Sequence, residues 1–180
     1  DYRQFEGRML TDIATEQEWT LDEAVREVVT SPRGRNVICI QFIIDEPDID
    51  TNLRHPRMMI GSDGIPELTG NPHPRLFGTM PRVLGHYVRD RGVLTLEDAV
   101  HRMTSLACER FGLAERGLVK EGYWADLVLF DPATVKDLAT YEKPKQEPAG
   151  ISMVVVNGQV ACEGGQHTGA GSGQALRLSR

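Results

Sequence analysis

The spacing of apolar and polar positions divides the chain into a helical first part and a strand-rich last part. Trp19-Thr20-Leu21-Asp22-Glu23-Ala24 carries a helix start: Thr20 stands at the cap, Glu23 completes a capping box, and Trp19 and Ala24 occupy the staple positions. Leu21, Ala24, Val25, Val28 and Val29 continue as one apolar face until Ser31-Pro32-Arg33-Gly34 breaks the helix. VICIQFII, residues 37–44, is β-branched and almost continuously apolar, the pattern of a strand covered on both faces in a parallel sheet. Asp45-Glu46-Pro47-Asp48 predicts an acidic turn and a short helical segment before His55-Pro56. MMIGSDG, residues 58–64, reads as a second short buried strand ending in a polar cluster.

Residues 64–79 read as loop, because Gly64, Pro66, Gly70, Pro72, Pro74 and Gly78 deny any regular element. A helix is predicted over residues 81–90, with Val83, Leu84, Tyr87 and Val88 as its stripe. Another starts at Thr95, with Asp98 at the box position, and its face runs through Val100, Met103, Ala107 and Phe111. The pattern changes near Gly112. ADLVLFD (125–131) and ISMVVVNGQVA (151–161) predict strands, and Asn157-Gly158 is a hairpin signal, so this region reads as a small all-β module. The glycine-rich stretch 164–173 is expected to be irregular.

Composition narrows the class. The 180 residues carry a formal net charge of −6, which excludes a nucleic-acid-coating surface. No apolar run reaches the roughly 18 residues that cross a bilayer, so no membrane partner is expected. Cys39, Cys108 and Cys162 form no zinc-knuckle or redox spacing. Their odd number fits a reducing compartment, hence a cytoplasmic protein, and Cys39 reads as a small buried hydrophobe. The start, DYRQFEGRMLT, has neither an initiator Met nor a signal-peptide core and reads as a chain joined partway through something.

Two segments could carry chemistry. Gly61-Ser62-Asp63-Gly64 ends a predicted buried strand, where reactive groups cluster in barrels and open α/β sheets. Asp63 there could move a proton, bind a metal, or merely cap or stabilise a turn, and its flanking glycines allow close approach by backbone or ligand. In Asn71-Pro72-His73-Pro74-Arg75, two prolines hold the chain extended around His73 and Arg75 offers a fork suited to a carboxylate. Arg75 could equally form an internal salt bridge. His73 could orient Arg75, contact substrate, or hydrogen-bond its own loop. The sequence contains no His-x-His, no His-Glu-x-x-His, no GxxxxGK[ST] and no strand-linked GxGxxG.

GSDGIP, then NPHPRLFGTMPRVLGHYVRDRGVLTLEDAVHRMTSLACERFGL, then RGLVKEGYWADLVLFDPATV, resembles the carboxyl-terminal part of the N-acyl-D-amino-acid deacylases (D-aminoacylases), of the metal-dependent amidohydrolase superfamily. VVVNGQVACEGGQHTGAGSGQALR is similar to the end of that family. The resemblance implies an α/β fold: residues 1–111 as the last part of a (β/α)8 TIM barrel, with 37–44 and 58–62 as strands seven and eight. It implies that residues 112–180 complete part of a small β-sandwich. By the same resemblance Asp63 is the catalytic Asp of strand eight and a metal contact. Arg75 holds the substrate carboxylate, with His73, Ser62 and Gly64 in the substrate site. The implied cofactor is a divalent metal, Zn2+, whose main ligands lie outside this chain. The implied partners are an N-acyl-D-amino acid and the remainder of the enzyme or a complementary chain, in a protein that could be a homo-oligomer. The isolated chain is then expected to be inactive. The alternatives are a hydantoinase- or dihydroorotase-like cyclic amidohydrolase and a non-catalytic structural or binding fragment.

Overall fold

Side-chain hydrogen bonds cap three helices among the described residues, at Thr20, Asp45 and Thr95. In a computed structural model, which describes residues 2–30, 39–66 and 70–177, a 3-10 turn at Tyr2–Phe5 precedes α1 (Leu10–Glu16) and α2 (Leu21–Val29). The capping box forms as expected. The Thr20 backbone N–H donates to Glu23 Oε2 at 2.8 Å, and the Glu23 N–H donates to Thr20 Oγ1 at 3.3 Å. Phe5, Ile13 and Val28 make a small core that Leu10 and Trp19 flank. The expected helix break at residues 31–34, and Val37 and Ile38 of the expected strand, lie outside the described residues.

The main core lies further along. α3 (Glu46–Arg54), the helical segment Val83–Asp90 that continues α4 (Arg75–Arg82), and α5 (Leu96–Met103) surround it, and α6 (Ser105–Phe111) follows α5. Leu53, Ile60, Val83, Leu84, Tyr87, Val93, Leu94, Ala99 and Val135 fill it. Polar links hold the layers in register. Glu46 accepts from Arg82 (3.3 Å), the Tyr87 hydroxyl (3.1 Å) and Arg91 (2.7 Å), while Arg91 also reaches Asp50 at 2.7 Å. Buried Arg102 donates to the carbonyls of Leu53 and His55, each at 2.7 Å, so its charge is hydrogen-bonded within the protein.

After Gly112, which ends α6 in the left-handed region, the chain forms a four-stranded antiparallel sheet in the order β1-β2-β3-β4. The strands are β1 (Leu127–Phe130), β2 (Ile151–Val156), β3 (Gln159–Glu163) and β4 (Gln166–His167). Asn157 (φ 47°) and Gly158 (φ 80°) make the predicted tight turn, in which both central residues need positive φ. Buried Val135 joins the core beneath the helices. Its carbonyl would lie 2.6 Å from a Cβ at residue 85, so Gly85 is what lets it approach.

Several expectations need correction. Residues 39–44 and 58–62 form no strand, so neither expected barrel strand exists as a strand among the described residues. A strand is held by a ladder to a neighbour, and neither segment has one here. Cys39 is correspondingly exposed rather than buried. The loop read at 64–79 ends early, since α4 begins at Arg75. Pro74, with φ −53°, presets the first turn, and the Gly78 N–H donates to the Pro74 carbonyl at 2.9 Å. The helix expected over 81–90 continues from α4 as a π-helical segment, Val83–Asp90, just past Pro81, whose ring nitrogen cannot donate. The helix from Thr95 is broken at Thr104, with φ −130° and ψ −90°. The glycine-rich stretch holds a short strand, β4, because the Gly164-Gly165 turn folds it back on β3.

Candidate active site

The 58–64 segment and the first turn of α4 meet at Gly64. A Cβ there would lie 3.1 Å from Leu76 Cα, so glycine sets how closely the two segments approach. That close approach is taken by protein backbone. The Ser62 hydroxyl accepts the Gly64 N–H at 3.1 Å and tightens the turn between them. Asp63, at its apex, has φ 47°, a left-handed conformation that aspartate tolerates better than most residues.

This turn presents the Asp63 side chain, 84% exposed, to Arg75, with Nη2 and Oδ2 2.9 Å apart. The two residues singled out for chemistry, separated by eleven others, are therefore in direct contact. Arg75 Nε is buried with no hydrogen-bond partner. Such a donor costs free energy unless another group accepts from it.

His73 fills one of its three expected roles. Its Nδ1 accepts the Arg75 backbone N–H at 3.0 Å, which fixes the start of α4 and leaves Nε2 as the protonated nitrogen of the neutral ring. Burial first, and then the Arg75 charge, hold its pKa below the usual 6.5, with Asp63 acting in the opposite direction. The His73 ring meets Tyr141 edge to face at 5.3 Å, and Tyr141 meets Phe42 in the same way at 5.0 Å. Sequence reasoning missed Tyr141. A contact between residues 68 positions apart leaves no local pattern to read.

His73, Arg75, Asn71 and Pro72 line a cavity of about 390 Å³ together with Cys39, Ile40, Gln41, Ile43, Ile44 and Ile65. The lining thus combines a guanidinium with several aliphatic side chains, a combination suited to a ligand with a carboxylate and an apolar part. Among the described residues no group of three or more His, Cys, Asp or Glu could hold a metal ion. Asp63 could supply one contact to a metal held mainly by other residues. No helix among the described residues is long and apolar enough to cross a membrane.

Comparison with known proteins bears on this geometry. The model of the Amidohydrolase family matches residues 10–162. A D-aminoacylase of Alcaligenes xylosoxydans xylosoxydans is 47% identical over 97% of this chain, which covers 35% of that protein. N-acyl-D-aspartate deacylase of the same organism is 42% identical over 94% of this chain, covering 32% of its own length. Among solved structures, a crystal structure of D-aminoacylase superposes with a TM-score of 0.90 at 47% identity, over 98% of this chain and 36% of that one. An N-acyl-D-glutamate deacylase of Bordetella bronchiseptica, complexed with zinc and a phosphonate mimic of the tetrahedral intermediate, superposes with a TM-score of 0.87 at 42% identity, over 98% and 36%. The chain spans about a third of the length of the curated relatives it matches.

Proposed function

Since this chain belongs to the amidohydrolase family, we propose that it is part of an enzyme that hydrolyses the amide of an N-acyl-D-amino acid to a carboxylate and a free D-amino acid. The observation that carries this reading is the Asp63–Arg75 pair, a candidate base and a candidate carboxylate clamp 2.9 Å apart beside a half-apolar cavity. Residues 39–44 and 58–62 would be barrel strands seven and eight, laddered by parts of the enzyme outside this chain. Residues 1–111 would then end the (β/α)8 barrel, and residues 112–180 would form part of a β-sandwich. The antiparallel sheet supports the second assignment. Cysteine usage supports a cytoplasmic setting.

Within the site, Arg75 binds the substrate's α-carboxylate and so fixes which face of the scissile amide meets the attacking water. Its orphaned Nε–H is a further donor for that carboxylate. Asp63 Oδ2 takes the proton of the attacking water and delivers it to the leaving nitrogen. His73 holds the Arg75 backbone, while Ser62 and Gly64 fix the turn that aims Asp63. A divalent metal, Zn2+ in this reading, would supply water activation and carbonyl polarisation when bound, with Asp63 as this chain's contact to it. Among the described residues Asp63 is the carboxylate assigned to the site, and the 180 residues alone are expected to be inactive.

The test uses the full-length enzyme containing this chain. Asp63→Asn should lower kcat by about 10²- to 10⁴-fold. Arg75→Lys should raise KM by roughly tenfold or more, the loss expected when a charge-assisted fork is replaced by a point charge. Near-normal kcat across pH in the Asn variant would remove Asp63 from the mechanism. Faster hydrolysis of a hydantoin than of an N-acetyl-D-amino acid would assign the enzyme to cyclic amides instead.

A further inference from the structure

The contact between His73 and Tyr141 crosses from the last third of the chain to the residue beside the proposed carboxylate clamp. Tyr141 is carried on a tight turn. The Thr140 N–H donates to the Lys143 carbonyl at 3.1 Å, and the Lys143 N–H donates to Thr140 Oγ1 at 3.0 Å. The turn places the Tyr141 ring between two others, edge to face with His73 (5.3 Å, 80°) and with Phe42 (5.0 Å, 72°). It is His73, not Tyr141, that lines the cavity. Tyr141 itself is 45% exposed, so its position is not that of a core residue filling space.

We infer that Tyr141 is a positioning residue for substrate carboxylate recognition, acting through His73 on Arg75. The physical chain is short. An edge-to-face contact restricts the His73 ring, which has only two soft torsions. The ring's Nδ1 accepts the Arg75 N–H at 3.0 Å, and that bond sets where α4 begins and hence where the guanidinium starts from. With Tyr141 removed, His73 is free to turn, Nδ1 leaves the Arg75 N–H, and the guanidinium loses its fixed origin. A displacement of about 1 Å in such a clamp has a large effect on rate.

This inference rests on the carboxylate role proposed for Arg75, and the experiment separates the two. In the full-length enzyme, kcat/KM is measured for an N-acetyl-D-amino acid and for its carboxamide, which has no α-carboxylate. Their ratio measures carboxylate preference. Tyr141→Ala and Tyr141→Leu should each lower that ratio by roughly two- to tenfold, the range of a single aromatic contact, mainly through KM for the acid. Tyr141→Phe should keep it, because the ring edge is retained. The leucine variant preserves bulk, so a failure of the alanine variant to fold does not decide the question. If Arg75→Lys leaves the ratio unchanged, the carboxylate role itself falls. If Arg75→Lys collapses the ratio while Tyr141→Leu preserves it, or lowers both substrates equally, Tyr141 has no positioning role.

Discussion

The segments at 39–44 and 151–156, Cys-Ile-Gln-Phe-Ile-Ile and Ile-Ser-Met-Val-Val-Val, are nearly matched in apolar content and meet opposite ends. The second is an inner strand, β2, paired with β1 through Val128↔Val154 and with β3 through Val154↔Cys162. The first forms no strand and leaves Ile43 78% exposed and Phe42 62% exposed. The difference lies in where the partners are. β3 follows β2 across a two-residue turn, so closing that loop costs little entropy. A strand in a parallel sheet needs neighbours reached by long crossovers, and among the described residues no other segment offers residues 39–44 a ladder. Side-chain preference therefore makes a strand possible, and the availability of a backbone partner decides it.

Hydrogen exchange offers the widest separation of the two segments. In the 180-residue chain, amides of 151–156 should be protected and those of 39–44 should exchange at nearly the open-chain rate. In the full-length protein both should be protected. Exchange at 39–44 should slow there by about a thousandfold or more, as its opening free energy rises from near zero toward a global stability of about 5 kcal/mol or more. Protection of 39–44 in the short chain would mean that it finds a partner there. Rapid exchange in the long one would defeat its assignment as a barrel strand.

Substitution sharpens the same contrast at smaller scale. Leu84 is buried in the main core, so Leu84→Ala should destabilise the 180-residue chain by about 2–5 kcal/mol in urea titration. Ile43→Ala in that chain should change stability by no more than about 0.5 kcal/mol, because it removes no buried contact. In the full-length protein Ile43→Ala should move into the core range of about 2–5 kcal/mol. Equal costs for Ile43→Ala in both contexts would contradict the proposed burial.

What the sequence revealed follows the same division between local and distant partners. The Thr20–Glu23 box, the Thr95 cap, which accepts from the Asp98 N–H at 3.1 Å, and the Asn157-Gly158 turn all involve groups a few residues apart. Their chemistry is written in consecutive letters. α4 was hidden because Gly78 and Pro81 are poor helix formers by themselves. They stand there for other reasons. A Cβ at Gly78 would lie 3.3 Å from Asp137 Cβ, and Pro81 is buried. At the site, Asp63, His73 and Arg75 were each recognisable, yet the Asp63–Arg75 contact depends on the Gly64 approach to Leu76. The Glu46 network and the Tyr141 stack bridge 36 and 68 positions and left no periodic trace.

The smallest effect concerns His73, whose environment was assembled from both kinds of partner. Its adjoining Arg75 charge was readable in the sequence, whereas its burial beside Tyr141 was not. Folding lowers its pKa from 6.5, burial being the larger cause. Between the lowered value and 6.5 the unfolded chain binds more protons than the folded one, so stability rises with pH across that window. The contribution is fully present above 6.5 and is lost as pH falls through the folded value. Protonation also turns Nδ1 from an acceptor into a donor facing the Arg75 N–H, which breaks that bond. His73→Asn removes the titration while an asparagine carbonyl can still accept the N–H two residues on. Urea midpoints measured between about pH 5 and 8 should fall toward acid more steeply in the wild-type chain than in the Asn variant. Parallel curves would mean that His73 does not sense its burial, and the fixed ring on which the Arg75 geometry depends would lose its support.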